Sequence, residues 1–355
     1  MSCFLYKNLG GGEFMSKIKK IGSILACLSV VAVILSGCSK KDDLVKIKVA
    51  EVTHSIFYAP QYVAISEGFF KEEGLDIELI AAQGADKTMA ALLSDEVQIG
   101  LMGPEASIYV HNKESKNYAI NFAQVTKRDG SFLVAREAHD NFTMEDLKGK
   151  ELLGGRKGGV PEMSLEYAIK NAGLTIGENV KSGEVNVRTD IQFNVMGGAF
   201  TSGEADYVTL FEPLATAMEK QNKGYIVASI GELSGEIPFT AYSVTNTYME
   251  KNPEIVQKFT NALYKGQLYV QNHSSEDIAK SIQPFFTDIK IEDLVVVIER
   301  YKKIDAWCEN PILKEESLNR LMDVMELAGE LDKRAPYDEI VTTKYAEKAI
   351  YNIVK

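Results

Sequence analysis

Residue types that commonly carry catalysis are few and scattered in this chain. The histidines lie far apart, and no metalloprotease, paired-cysteine, nucleophile-elbow or phosphate-loop motif accompanies them. A single His54 ahead of a loop is more typical of a hydrogen-bonding loop residue than of a catalyst. The sequence therefore favours a protein that binds a ligand without making or breaking a bond, and it predicts no metal site and no cofactor. The four histidines are His54, His111, His139 and His273.

Four short loops could instead hold a ligand. Each leads into a predicted helix, whose first backbone N–H groups lack partners within the helix and can bind polar ligand atoms. Each loop alone is equally well explained by helix initiation, since Gly and Pro open helices in many proteins. Four such loops at equivalent strand ends favour a shared site. The predicted ligand contacts from these loops are Gly84, Asp86, Gly103, Glu105, Gly158, Gly159, Val160, Phe211 and Glu212.

Aromatic residues near these loops could enclose a planar ring. Phe57, Tyr58 and Phe211 would face the shared site. Core packing is the competing interpretation. It explains Tyr58 as well as ring binding does, and it explains Phe57 better. We include Phe57 and Tyr58 among the predicted ligand contacts.

The charged residues favour two different ligands. Glu105 and Glu212, one in each half of the chain, would meet amino or cationic groups, because a buried carboxylate needs a partner. Arg156 and Lys157, together with Lys127, would favour an anion. We include Lys127 among the predicted contacts and favour an amino-pyrimidine or a related heterocycle, with a sulfonate or nitrate as the alternative.

Alternating elements must position these loops. In the first half, a helix from Pro60 is expected to end at Gly74, a strand to follow, and Asp86 to cap the next helix. A second series of strands and helices covers residues 132–213, which predicts mostly parallel sheets with helices on both faces. From Pro253 the pattern is helical, and we assign this tail to the outer surface of the first half.

The second half repeats a short pattern of the first. Ala91, Ser94 and Glu96 recur 108 positions later as Ala199, Ser202 and Glu204, in both cases at the end of a predicted helix and ahead of a short strand. The repeat predicts that the two halves share one plan and face each other across a cleft.

The order and spacing of several short motifs resemble those of the substrate-binding proteins of ABC importers. The motifs are Tyr58-Ala59-Pro60, Glu67-Gly68-Phe69-Phe70, Glu73-Gly74-Leu75-Asp76 and Asp146-Leu147-Lys148-Gly149-Lys150. The resemblance is to the family that takes thiamine-pyrimidine precursors, sulfonates and nitrate. It implies an α/β, two-lobed type II periplasmic-binding-protein fold, with a hinge, a ligand cleft, and an ABC permease and its ATPase as partners. We expect residues 46–127 and 236–355 to form lobe 1, and residues 128–235 to form lobe 2.

Two other functions fit the same fold. A sensory lipoprotein would pass its signal to a receptor instead of a transporter. The family also resembles a fungal pyrimidine synthase that uses a Cys-rich motif and a His, but this chain has no such cysteine cluster, so that alternative is the weakest.

Composition is that of a globular protein with room for two domains. The chain has 355 residues, of which 45% are hydrophobic and 25% charged, with a formal net charge of −11. Loss of residues 1–37 removes four Lys and one Glu, so the charge becomes −14. Such acidity argues against a nucleic-acid partner. We expect a monomer.

The N-terminus predicts export. Three lysines precede an apolar run over 21–35, which is short for a membrane span and typical of a signal peptide. Leu35-Ser36-Gly37-Cys38 resembles a bacterial lipobox, which implies that Cys38 is lipidated and that 38–45 is a tether; a plain membrane anchor is the alternative. The signal is complete from Met15, which suggests that residues 1–14 are not translated. We expect the protein on the outer face of the membrane, at a Gram-positive surface rather than in a periplasm.

Overall fold

The structure is a computed structural model that describes residues 44–353. The predicted signal peptide, the lipidation site Cys38 and the tether up to residue 43 lie outside the described residues. Within 44–353, no helix has both the length and the apolar character needed to cross a membrane.

The strands form two five-stranded sheets, one at the centre of each lobe. Their bounds are β1 Val45–Glu51, β2 Leu75–Ala81, β3 Ile99–Met102, β4 Ala119–Thr126, β5 Ser131–Ala135, β6 Glu151–Leu153, β7 Asn186–Arg188, β8 Tyr207–Phe211, β9 Tyr225–Ser229 and β10 Thr240–Thr245. The strand order is β2-β1-β3-β10-β4 in lobe 1 and β7-β6-β8-β5-β9 in lobe 2.

The two sheets share one plan. In each, one strand runs antiparallel to its two neighbours, and it is the first strand after the chain crosses from the other lobe: β10 in lobe 1 and β5 in lobe 2. The remaining strands run parallel. Strands β3 and β8 therefore occupy equivalent central positions, and the repeated Ala-Ser-Glu residues precede these two strands. The sequence prediction of mostly parallel sheets agrees with this arrangement.

Helices cover both sheets, and those after β10 form a long helical tail. The α-helices are α1 Ala59–Ser66, α2 Phe69–Glu72, α3 Ala85–Leu93, α4 Glu105–Asn112, α5 Val160–Asn171, α6 Phe193–Ser202, α7 Leu214–Lys220, α8 Ile230–Ser234, α9 Asn246–Lys251, α10 Pro253–Asn272, α11 Ser275–Ile282, α12 Ile291–Lys303, α13 Glu315–Ala328, α14 Tyr337–Ile340 and α15 Lys344–Ile353. Short 3-10 turns occur at Ile56–Tyr58, Met144–Leu147, Val180–Ser182 and Gln283–Phe285.

Two local predictions in lobe 1 are wrong. The helix expected from Pro60 to Gly74 is two helices, because Gly68 adopts a left-handed backbone (φ 80°) and separates α1 from α2. Asp86 does not cap α3: the N-cap position is Gly84, without a side-chain cap, and the Asp86 carboxylate pairs with Arg156 of lobe 2 instead.

Close helix packing supports the cleft-facing side of lobe 1. Helix α10 packs along α1, and Gly266 of α10 allows the approach, because a Cβ there would lie 2.3 Å from the carbonyl oxygen of Pro60. Pro60 lies in the first turn of α1, where its missing N–H costs no hydrogen bond. The contact fixes the turn that carries Tyr58.

The connections between the lobes are held together by the helical tail. The two crossovers hydrogen-bond to each other, since the Ile237 N–H donates to the carbonyl oxygen of Lys127 (3.0 Å). The Tyr301 hydroxyl of α12 donates to the carbonyl of Gly130 in the first crossover (3.2 Å). Helix α13 packs against α5 of lobe 2, and Lys170 of α5 donates to the carbonyl of Leu327. The tail therefore contacts both lobes.

Candidate functional site

A cavity of about 780 Å³ lies between the two lobes. Its walls come from loops at the carboxyl ends of the parallel strands of both sheets, which is where open α/β sheets place ligands. The loops after β1, β2 and β3 contribute from lobe 1, and the loops after β6, β7 and β8 contribute from lobe 2. The loops of two sheets therefore meet at one site between the lobes.

Nine of the twelve predicted ligand contacts line this cavity. They are Tyr58, Asp86, Gly103, Glu105, Gly158, Gly159, Val160, Phe211 and Glu212. The prediction came from loop chemistry, and the fold brings these loops together from positions more than 150 residues apart.

The other three predicted contacts do not line the cavity. Phe57 is a core residue packed against Phe211 and Tyr301, with ring centroids 5.8 and 5.2 Å apart. Its ring also packs against Gly130, because a Cβ on Gly130 would lie 2.4 Å from the Phe57 ring. Lys127 forms an ion pair with Asp305 (2.8 Å) at the crossover. Gly84 lies between Gln83 and Ala85, which both line the cavity.

Glu105 is the polar group of the cavity that most needs a ligand. It begins α4, directly after β3, and its side chain is buried at 2% exposure. Burial raises its pKa to about 7, an effect that the backbone N–H groups of Glu105, Val160 and Ala106 partly oppose. Its Oε2 atom has no hydrogen-bonding partner within 44–353. A buried carboxylate oxygen without a partner is costly, which favours a donor supplied from outside the chain.

Glu212 is equally buried but is already paired. Its carboxylate accepts hydrogen bonds from the Thr216 N–H (2.9 Å) and the Thr216 hydroxyl (2.8 Å). The guanidinium of Arg300, on α12, completes the pair. The expectation that Glu212 meets a cationic ligand group therefore has no support in the geometry, because the tail supplies the cation.

The Gly158 loop of lobe 2 does not offer the free donors expected of it. The Gly158 N–H donates to the Glu162 carboxylate (3.1 Å), and the Gly159 N–H donates to the carbonyl of Arg156 (3.1 Å). The Val160 N–H interacts with the Glu105 carboxylate of lobe 1. The N–H groups of this loop are thus directed to protein acceptors.

Three contacts join the lobes around the cavity. The Tyr109 hydroxyl on α4 donates to the carbonyl of Gly158 (2.9 Å). Asp86 and Arg156 form an ion pair at the cavity mouth (2.9 Å), with both side chains more than a third exposed. Deeper in, the Ser55 hydroxyl donates to the carbonyl of Glu212 (2.9 Å). The lobes are therefore closed on each other around the cavity.

Aromatic side chains form much of the remaining wall. Tyr58 and Phe211 were predicted from the sequence, whereas Phe193, Phe239 and Tyr109 were not. Phe193 and Phe211 meet edge to face at 6.2 Å. Two of the missed residues had a signal: Tyr109 lies one helical turn after Glu105, and Phe193 opens the helix after a parallel strand.

His54 lines the cavity as a bonded loop residue. Its Nδ1 atom lies 3.1 Å from the buried Glu51 carboxylate, and its Nε2 atom lies 2.9 Å from the carbonyl oxygen of Phe285. These bonds raise its pKa, the bond with Glu51 most, against the opposing effect of burial. The ring stacks on Phe286 at 4.6 Å. Both nitrogens thus have protein partners, which suits positioning more than catalysis.

Metal ligands are not gathered anywhere in residues 44–353. That range contains no cluster of three or more His, Cys, Asp or Glu side chains with a geometry for a metal ion. The buried Cys308 has a pKa raised by burial, which disfavours its reactive thiolate.

The sequence is similar to a known protein family and to named proteins. The family model described as NMT1/THI5 like matches residues 56–277. YtlA of Bacillus subtilis, a protein provisionally named as a binding protein, is 46% identical over 314 residues, which cover 88% of this chain and 92% of YtlA. The 4-amino-5-hydroxymethyl-2-methylpyrimidine phosphate synthase of Aspergillus parasiticus is 27% identical over 223 residues, 60% of this chain and 63% of that enzyme.

The fold has solved counterparts. The alkanesulfonate-binding protein SsuA from Xanthomonas axonopodis, bound to MOPS, matches with a TM-score of 0.64 and 15% identity, covering 85% of this chain and 99% of SsuA. That similarity shows a periplasmic-binding-protein fold. With the family match over 56–277 and the similarity to YtlA, the chain belongs to the NMT1/THI5-like family.

Proposed function

We propose that the protein is the extracytoplasmic solute receptor of an ABC importer. A small solute binds between the lobes, residues 128–235 close on residues 46–127 and 236–355, and the closed receptor delivers the solute to a permease driven by its ATPase. The observation that carries this proposal is the cavity between the lobes, with the unpartnered Oε2 atom of Glu105 in its wall. The relationship to YtlA supports binding as the activity.

The chemistry of the wall supports a planar heterocycle with amino groups. Rings such as Tyr58 and Phe193 can stack on a flat solute, and Glu105 can accept a hydrogen bond from an amino group. A thiamine pyrimidine precursor such as 4-amino-5-hydroxymethyl-2-methylpyrimidine has both features. The A. parasiticus relative is named for the phosphate of this pyrimidine, which adds support. Sulfonate or nitrate remains the competing class, in view of the fold shared with SsuA.

No catalytic role is included in this proposal. The synthase alternative would need reactive side chains at the cavity, but among the described residues the cysteine is buried Cys308 and the cavity histidine is bonded through both nitrogens. The sensory alternative keeps the same binding step and differs in the partner. A neighbouring permease and ATPase gene pair would support import, and a neighbouring sensor kinase gene would support signalling.

The membrane attachment is also a proposal. Cys38 would carry the lipid after removal of residues 1–37, and the monomeric receptor would stay on the outer face of a Gram-positive membrane. Cys38→Ala should release the protein into the culture medium, whereas wild type should fractionate with membranes and incorporate labelled fatty acid. Retention of the variant in the membrane would contradict lipidation.

A thermal-shift screen of the protein beginning at Ser39 tests the solute. The panel contains pyrimidines, thiamine, flavins, taurine, alkanesulfonates, nitrate and bicarbonate. A ligand at 100 times its Kd should add about 2.7 kcal/mol to the free energy of unfolding, a rise of roughly 2–4 °C or more. We expect the aminopyrimidine to give the shift and Tyr58→Ala to abolish it. A shift with sulfonates alone would reject the heterocycle.

A further inference from the structure

Two helices from opposite lobes point their N-termini at one place in the cavity. Helix α4 begins at Glu105 in lobe 1, and α5 begins at Val160 in lobe 2. The helices have 8 and 12 residues. The backbone N–H groups of their first turns lack partners within the helix and favour a negative charge. Such a place usually holds an anionic group of a ligand.

In this protein a side chain already provides the negative group. The Glu105 carboxylate folds back over its own loop, and a Cβ on Gly103 would lie 1.9 Å from Glu105 Oε2, so only glycine leaves room for this conformation. The N–H groups of Glu105, Ala106 and Val160 face the carboxylate. The carboxylate thus lies between the two helix ends.

No cation acts directly on the Glu105 carboxylate. The groups that act most on Glu105 are its burial and the three backbone N–H groups, with no cation among them. Arg156 and Lys157 line the cavity, but they pair with Asp86 and Glu330. Lys113 also lines the cavity, but it follows the opposite end of α4 from Glu105. A sulfonate or nitrate placed at the helix ends would therefore meet the ionised Glu105 carboxylate with no cation beside it, and like charges in contact are strongly unfavourable.

We propose that Glu105 is the specificity-determining residue of the cleft: an internal anion that occupies the helix N-termini of both lobes, excludes oxyanions and selects a solute with an N–H donor or a positive charge. The inference rests on the proposed receptor function and deepens it. The unpartnered, buried Oε2 atom is the acceptor to which that donor binds.

Removal of the carboxylate should convert the site to one that accepts oxyanions. We would measure binding of methanesulfonate and nitrate by calorimetry to the full chain in detergent, for wild type, Glu105→Ala and Glu105→Gln. Glu78→Gln, an exposed carboxylate on β2 outside the cavity, is the matched control. We expect Glu105→Ala to gain affinity for methanesulfonate by about tenfold or more over wild type and the control, because the repulsion is gone and the helix ends are free.

The same variants should lose the amino-bearing solute. Glu105→Gln should weaken 4-amino-5-hydroxymethyl-2-methylpyrimidine binding by about tenfold or more, since a neutral amide is the weaker acceptor. Wild type that binds methanesulfonate as tightly as folded Glu105→Ala would overturn the assignment while leaving the receptor function intact. The assignment would also be overturned if Glu105→Ala and Glu105→Gln both fold and neither binds methanesulfonate or nitrate more tightly than wild type. Gain of anion binding with no pyrimidine binding by wild type would support the role of Glu105 and reject the proposed solute.

Discussion

The loops that follow β3 and β8 occupy equivalent places in the two lobes, and each contains a buried glutamate. The two glutamates differ in their hydrogen-bonding partners. Glu105 follows β3 and Glu212 follows β8, and both side chains are at most 2% exposed. Glu212 has Thr216 and Arg300 as partners, whereas Oε2 of Glu105 has none among the described residues. Burial alone therefore does not identify a ligand-binding carboxylate. The partners decide: Thr216 of α7 and Arg300 of the helical tail provide them for Glu212.

The largest effect should come from removal of the paired carboxylate. Glu212→Gln leaves the Arg300 guanidinium without its counterion, and loss of one partner of a buried ion pair typically costs about 3–5 kcal/mol. Arg300 is 24% exposed, so we expect the lower end of that range, about 3 kcal/mol. Denaturant unfolding would measure the loss. A double variant with Arg300→Met should lose less than the sum of the single variants. A Glu212→Gln protein as stable as wild type would show that the pair is not structural.

The matched change at Glu105 should have the opposite sign. The folded pKa is raised from 4.5 to about 7, so the folded state favours the protonated form; this contribution to stability is full below pH 4.5 and is lost as pH rises through 7. Glu105→Gln removes the buried charge and should raise the free energy of unfolding at pH 8 by about 2–3 kcal/mol at most, with little change at pH 5. Thermal unfolding of wild type and variant at both pH values would measure it. Destabilisation at pH 8 would mean that the carboxylate has a partner in the folded protein.

Local pattern was sufficient for most of the architecture. Alternating and short apolar segments predict most strands of the two sheets, and the Ala-Ser-Glu repeat marks the helices ahead of β3 and β8, which lie at the centre of their sheets. Glycine in a left-handed conformation explains the one missed break, at Gly68, since a helical period continues on both sides of it. These features depend on residues near each other in sequence.

The partners of the site residues could not be predicted in the same way. Arg300 lies 88 residues from Glu212, and Asp305 lies far from Lys127 in sequence, so neither pairing leaves a local pattern. In the helical tail, periodicity shows which face of a helix is buried but not which element that face contacts. Which loops meet was therefore predictable, and which side chains remain free for a ligand was not.

A smaller effect should come from the hydrogen bond that joins α4 to the Gly158 loop. Tyr109→Phe removes the 2.9 Å bond between the Tyr109 hydroxyl and the Gly158 carbonyl. Such a bond contributes about 1 kcal/mol net, and because it spans the lobes, we expect solute dissociation to become about fivefold faster. Stopped-flow measurement of solute release would test this. Tyr248→Phe on α9, away from the cavity, is the control and should release solute at the wild-type rate.

The smallest effect should come from the ion pair at the cavity mouth. Asp86 is 57% exposed and Arg156 is 37% exposed, and ion pairs in contact with water contribute about 0–1 kcal/mol. Asp86→Asn should weaken solute binding less than about fivefold in 20 mM salt, and the difference from wild type should vanish in 500 mM salt, because salt screens an exposed pair. Calorimetry at the two salt concentrations would measure this. A loss as large as that of Glu105→Gln, unchanged by salt, would mean that Asp86 contacts the solute directly. Two carboxylates of lobe 1, those of Asp86 and Glu105, would then select the solute. The difference between the β3 and β8 loops would in that case extend to the two lobes and not depend on Glu105 alone.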